Sequence, residues 1–141
     1  MRYRRTAGAG VLATLGGTLL VSCAALSAQP GDPATWELAD GAGVSAQSTT
    51  IEVVATRLDC AGGVTGELEE PVIAYGADEI VIRIDAVYDG DGAADCQGNN
   101  AVPVSVVLTE PVGNRVLVDG ACRLAPAADT SFCESPVRWS P

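Results

Sequence analysis

The chain has 141 residues, 18 acids against eight arginines, no lysine and no histidine, and a formal net charge of −10. That length suits one small domain plus a leader, and that acidity argues against nucleic acid or an anionic surface as partner, because like charges repel. Without histidine, a Ser-His-Asp triad, a Cys-His pair and histidine metal sites cannot be built within the chain.

The first residues carry Arg2, Arg4 and Arg5 and no acid, and an apolar, glycine-interrupted run follows from Ala7 to Val21. A basic start, a short apolar run and small residues at its end are the signature of an export signal. The run falls short of the ~20 residues a membrane-spanning helix needs. Arg4-Arg5 hints at a twin-arginine route, although the flanking residues fit it poorly. The run ends at Leu20-Val21-Ser22-Cys23, which resembles the lipobox of bacterial lipoproteins. The resemblance implies a signal peptide over 1–22, cleavage before Cys23, and a diacylglyceryl thioether on the Cys23 thiol. The two acyl chains of that group make a stable anchor, since each buried methylene contributes ~0.8 kcal/mol and one chain alone binds marginally, and the new amine can be acylated as well. An ordinary secreted protein, cut between Ala24 and Ala28, is the competing reading.

Residues 23–47 read as the lipidated cysteine and a flexible tether. Small and polar residues dominate, Pro30-Gly31-Asp32-Pro33 breaks regular structure, and only Trp36 and Leu38 are bulky enough to dock back on a domain. The folded region is expected over 48–141. Thr49 to Leu58 is rich in β-branched residues and reads as a strand. Glu69 to Tyr75 and Glu79 to Tyr88 follow, joined at Gly76-Ala77-Asp78. In the second, Ile80, Ile82, Ile84, Ala86 and Tyr88 share one face, with Arg83 and Asp85 on the other. Ala101 to Thr109 alternates again, with Val102, Val104, Val106 and Leu108 on one side. Pro111-Val112-Gly113-Asn114 reads as a turn that returns Arg115 to Asp119 as the partner strand. Val137 to Trp139 is a last short strand. No long helical period follows Cys23, so the class is all-β: a small, disulfide-stabilised antiparallel β-sandwich (Ig-like) or a partly open barrel. With few aromatics, Ile, Val and Leu together with Tyr75, Tyr88 and Trp139 are expected to supply the core.

Cys60, Cys96, Cys122 and Cys133 remain once Cys23 is set aside. An even number in a small exported domain reads as two disulfides, and three pairings are possible. Cys122 with Cys133 is local and easily closed, which leaves Cys60 with Cys96. The spacings lack the short pairs of a zinc site.

Cys96-Gln97-Gly98-Asn99, Glu110-Pro111-Val112-Gly113-Asn114-Arg115 and Leu117-Val118-Asp119-Gly120 together resemble a pattern found in uncharacterised exported proteins and lipoproteins of actinobacteria. The resemblance spans roughly 50–141, beginning at the cysteine before Gly63-Val64-Thr65-Gly66 and ending near Val137-Arg138-Trp139. This chain carries Val112 where leucine is usual and Asn100 where proline is usual. The resemblance implies location and fold, and no activity.

The chemistry-bearing candidates are sparse. Asp89, Asp91 and Asp95 lie on one loop and offer oxygen ligands of the kind Ca²⁺ takes, but Ala93 and Asn100 stand where an EF-hand needs ligands. Glu67, Glu69, Glu70, Asp78 and Glu79 flank a predicted hairpin and could host a carboxylate pair for glycoside hydrolysis. Glu110 and Arg115 read as an exposed ion pair across a turn, Asp119 as a turn residue, and Trp139 as a core plug. The sequence therefore predicts a monomeric, non-catalytic binding or structural module without cofactor, held on the extracytoplasmic face of the cell membrane through Cys23. An envelope protein or a glycan is its expected partner class. A small carboxylate-dependent enzyme and a calcium-dependent binding module stay open as alternatives.

Overall fold

The computed structural model describes residues 31–87 and 94–141. Among these residues seven strands follow in order: β1 (Asp32–Leu38), β2 (Thr50–Arg57), β3 (Val72–Tyr75), β4 (Glu79–Ala86), β5 (Val102–Val107), β6 (Val116–Asp119) and β7 (Val137–Trp139). Three short 3₁₀ turns, Gly120–Arg123, Ala127–Asp129 and Ser131–Cys133, lie between β6 and β7. The strands form one sheet in the order β5-β2-β1-β4-β6-β7, with β3 on the other edge of β4. The architecture is the expected small all-β domain with two disulfides, Cys60–Cys96 and Cys122–Cys133. One pair, β4–β6, runs parallel, so the sheet is mixed.

The alternating stretches fold as their patterns dictate. Ile51, Val53 and Ala55 of β2 and Ile80, Ile82 and Ile84 of β4 turn inward and are all but fully buried. Val106 and Leu108 join them from β5 and its end, and Leu117 from β6. The β3–β4 hairpin turns at Ala77-Asp78, where the Gly76 N–H donates to the Glu79 carbonyl at 2.8 Å. The sheet folds over on itself, and at its far end the Thr109 N–H, just past β5, reaches the Tyr75 hydroxyl of β3 at 2.8 Å.

Three expectations need correction. The stretch read as tether contains β1, an interior strand paired with both β2 and β4. Trp36, at its centre, is completely buried and supplies the aromatic heart of the core. Burying a side chain of that size contributes roughly 4–6 kcal/mol of hydrophobic stabilisation, enough to override the breakers beside it. Pro33 is tolerated because β2 pairing starts only at Ala34, while the Pro33 carbonyl still accepts from the Leu58 N–H at 3.0 Å. Second, β6 is not the hairpin partner of β5. β5 pairs with β2, and the chain then crosses the end of the core, plugging it with the fully buried Val112 before β6 joins β4. Alternation along β5 told which face is buried but not which strand lies alongside. Third, Tyr75 is not core: its ring stands at the surface, with the Arg115 guanidinium 5.6 Å from the ring centre.

Strand β4 is where the sheet forks. Its first half, Glu79 to Ile82, pairs with β6, and its last residues, Ile84 to Ala86, pair with β1 on the same edge. Where β1 parts from β4, backbone groups lose their ladder partners. The Trp36 N–H is met by the Asp119 carboxylate at 3.0 Å, and the Ile82 carbonyl accepts from the Trp36 indole at 2.9 Å. Gly120 follows because a Cβ there would lie 2.8 Å from the Arg83 Cβ.

Candidate functional site

The outward face of β1 and β2 carries a groove that continues past the end of β2. Its deeper part, about 370 Å³, is floored by Thr56 and Ala101 and bounded by Arg57, Asp59 and the Cys60–Cys96 bridge. A shallower part of about 140 Å³ extends along Thr35, Glu37 and Val54. Thr56, Ala101 and Phe132 line both parts, so the two form one channel with the Phe132 ring at its waist. Register explains the floor: Thr35 lies opposite Thr56 and Glu37 opposite Val54, all on the face away from Trp36 and Ala55.

Phe132 is held over this floor by the chain around it. It precedes Cys133, which is bridged to Cys122. Its carbonyl accepts from the Arg138 guanidinium at 3.0 Å. Phe132 is 50% exposed, although its side chain is apolar.

The groove's far end is fastened by the stretch Cys96 to Asn100. Gln97 Nε2 donates to the Gly62 carbonyl at 2.9 Å. Asn99 Nδ2 donates to the carbonyls of Arg57 at 2.9 Å and Asp59 at 2.7 Å. The buried Thr65 receives its share from Asn100, whose Oδ1 accepts from the Thr65 N–H at 3.0 Å. The Asn100 N–H donates to the Gly63 carbonyl at 3.1 Å, a bond that proline could not make. The motif Cys96-Gln97-Gly98-Asn99 is thus a clasp between two loops, with its glycine at φ +82°.

Two charged groups stand close to the groove. Beneath it, Asp119 is completely buried and accepts from Thr35 Oγ1 (2.6 Å), the Trp36 N–H (3.0 Å), Arg138 Nη2 (2.9 Å) and the Ala121 N–H (3.0 Å). It does serve the turn, as the sequence suggested, but it also closes the fork and neutralises Arg138. At the mouth, Arg57 is buried and ion-paired with Asp32. Asp59 beside them is exposed, and its carboxyl sits above the ordinary aspartate range because of partial burial first and the neighbouring Asp32 second, against a smaller opposing pull from Arg57.

The sequence candidates fall out as follows. Cys23 and the rest of the lipobox, Leu20, Val21 and Ser22, lie outside the described residues, as do Asp89 and Asp91. Asp95 is exposed, and among the described residues no three His, Cys, Asp or Glu side chains are grouped to hold a metal. Glu67 and Glu69 sit at one end of β4, where their backbone bonds Val87 and Asp85, with Glu70 next in the chain, and Asp78 and Glu79 sit at the other end. The length of β4 puts roughly 20 Å between these sets, against the ~5–10 Å of a glycosidase pair. Glu79 is occupied by Arg123 at 2.6 Å, and Glu110 by Arg115 across the turn. Trp139 packs against the core. Reading the sequence missed Phe132 and the Asp32–Arg57–Asp59 set. Arg57 had a usable signal: it continues the inward alternation of Ile51, Val53 and Ala55, and a charge at an inward position needs a buried partner.

Among the described residues, no helix is long and apolar enough to cross a membrane. No protein-family model matches the chain, nor does any curated protein or solved structure. The two disulfides accord with an oxidising, extracytoplasmic setting.

Proposed function

We propose that this chain is a cell-envelope lipoprotein whose β-domain is a non-catalytic binding module, displayed on the extracytoplasmic face of the membrane through a lipid on Cys23. The observation that carries the binding reading is the open channel on the β1–β2 face, with a half-exposed phenylalanine whose backbone is held by a neighbouring disulfide and by Arg138. Exposed aromatic groups held rigid over a concave floor are what binding surfaces use, because little side-chain entropy is lost on contact. The polar groups within the fold are engaged in holding it: Asp119, Arg138 and Thr65 all have protein partners.

The anchor reading rests on Leu20-Val21-Ser22-Cys23 and on the even cysteine count left when Cys23 is set aside. The start of β1 at Asp32 adds a length: the nine residue steps from Cys23 span at most about 32 Å, so a lipid there would keep the domain near the bilayer. Cys23→Ala tests the anchor. The parent chain partitions with membranes and the variant moves to the soluble exported fraction; a variant that stays with the membrane overturns the reading.

A further inference from the structure

The channel has a charge pattern as well as a shape. Glu37 stands at its shallow end and Asp59 at its deep end, with Phe132 between them. Glu37 faces Val54 in the β1–β2 register, and Asp59 lies five residues further along the same chain. Val54 to Arg57 span roughly 10 Å of strand at ~3.3 Å per residue, and Asp59 lies two residues past the strand's end, so the two acidic residues flank opposite ends of the groove. The arginines nearby are each held by another carboxylate, and the pull of Arg57 on Asp59 is smaller than the opposing effects of burial and Asp32. Arg57 is buried and its guanidinium lies on Asp32, while Arg138 is half-buried and lies on Asp119. The residues that follow Cys23 carry 18 acids and five arginines, so the long-range field also favours a cation. An aromatic face between two carboxylates suits a ligand with a positive group at each end and an apolar group between them.

We infer that the groove along Thr56 and Ala101 binds an extended basic peptide segment of an envelope partner, with two basic side chains meeting Glu37 and Asp59 and an apolar side chain resting on Phe132. This rests on the reading of the domain as a binding module, and it names the partner's chemistry. In an extended strand, residues i, i+2 and i+4 share one face and span about 13–14 Å, which places two basic groups with flexible stems within reach of both carboxylates. The aliphatic stems cover the threonine and alanine floor while their charged heads stay at the rim.

The test uses the disulfide-bonded full chain in detergent and a capped pentapeptide, acetyl-Lys-Ala-Leu-Ala-Lys-amide, followed by isotope-labelled NMR titration. The peptide should shift the resonances of Thr56, Ala101 and Phe132. Phe132→Ala should weaken binding at least fivefold without changing net charge, and Asp59→Asn about threefold. Glu110→Gln removes one charge far from the groove and should change binding by less than twofold. Phe132 is half exposed, so its variant keeps the fold, which an unchanged melting temperature verifies. Loss of affinity in Glu110→Gln equal to that in Asp59→Asn, or none in Phe132→Ala, would mean diffuse attraction and overturn the assignment. If the glutamine analogue of the peptide shifts the same groove resonances as strongly, the charge selection is wrong although the surface still binds. If none of the peptides moves them, the groove is not a peptide site.

Discussion

Two of the domain's carboxylate–arginine sets have similar composition and opposite use. Asp119 lies fully enclosed at the fork of the sheet, with the half-buried Arg138 paired to it, and its oxygens accept from four donors. Asp32 with Arg57 lies at the mouth of the groove, and the third member, Asp59, faces solvent. In the first set the Asp119 oxygens are all taken up within the fold, by Thr35, Trp36, Ala121 and Arg138. In the second, Arg57 is anchored by Asp32 while the Asp59 carboxylate remains at the surface of a cavity. The contrast shows that an ion pair identifies a framework or a site only through what its remaining lone pairs face.

Breaking the enclosed set should give the largest effect. Asp119→Asn removes the charge that neutralises Arg138 and disturbs the bonds to Thr35 and Trp36; unfolding free energy by urea titration should fall by roughly 3–5 kcal/mol. Trp36→Ala tests the same region from the apolar side. As an interior-strand residue Trp36 should cost about 3–5 kcal/mol on truncation, whereas a residue in a loose tether would cost nothing measurable by the same titration.

At the groove the effect on stability is small and depends on pH. The Asp59 pKa is raised in the folded domain, so the folded state holds that proton more tightly than the unfolded chain does. Its favourable contribution is present in acid and is lost as pH rises through the raised value. Asp59→Asn, which is neutral throughout, should therefore be slightly more stable than the parent at neutral pH, with the gap closing as pH falls below the ordinary aspartate value of 3.8. Paired urea titrations at the two pH values check this, and a gap that widens in acid would have the wrong sign.

The sequence revealed the alternating strands and the cysteine pairing better than it revealed the connections between them. Ile80, Ile82 and Ile84 declare a buried face by themselves, because period-two alternation is a local property. The place of β1 was not legible. Pro30, Gly31 and Pro33 are strong local breakers, and only the burial of Trp36 between two other strands outweighs them. The parallel entry of β6 was hidden for a related reason: the turn residues Pro111 to Asn114 look like a hairpin, and only the buried Val112 and its N–H bond to the Ser48 carbonyl show that the chain is crossing the core instead. The groove depends on Phe132 lying across a sheet formed by distant strands, so spacing along the chain carried no trace of it. The motif Cys96 to Asn99 was recognisable as a pattern, and its meaning is structural.

The division between framework and site is tested most directly by measuring stability and peptide binding on the same two variants, Asp119→Asn and Asp59→Asn. The account predicts that Asp119→Asn lowers unfolding free energy by several kcal/mol, and that Asp59→Asn leaves stability at neutral pH unchanged or slightly raised while weakening binding of the lysine peptide about threefold. A destabilised Asp59→Asn with intact binding, or an Asp119→Asn as stable as the parent, would contradict it.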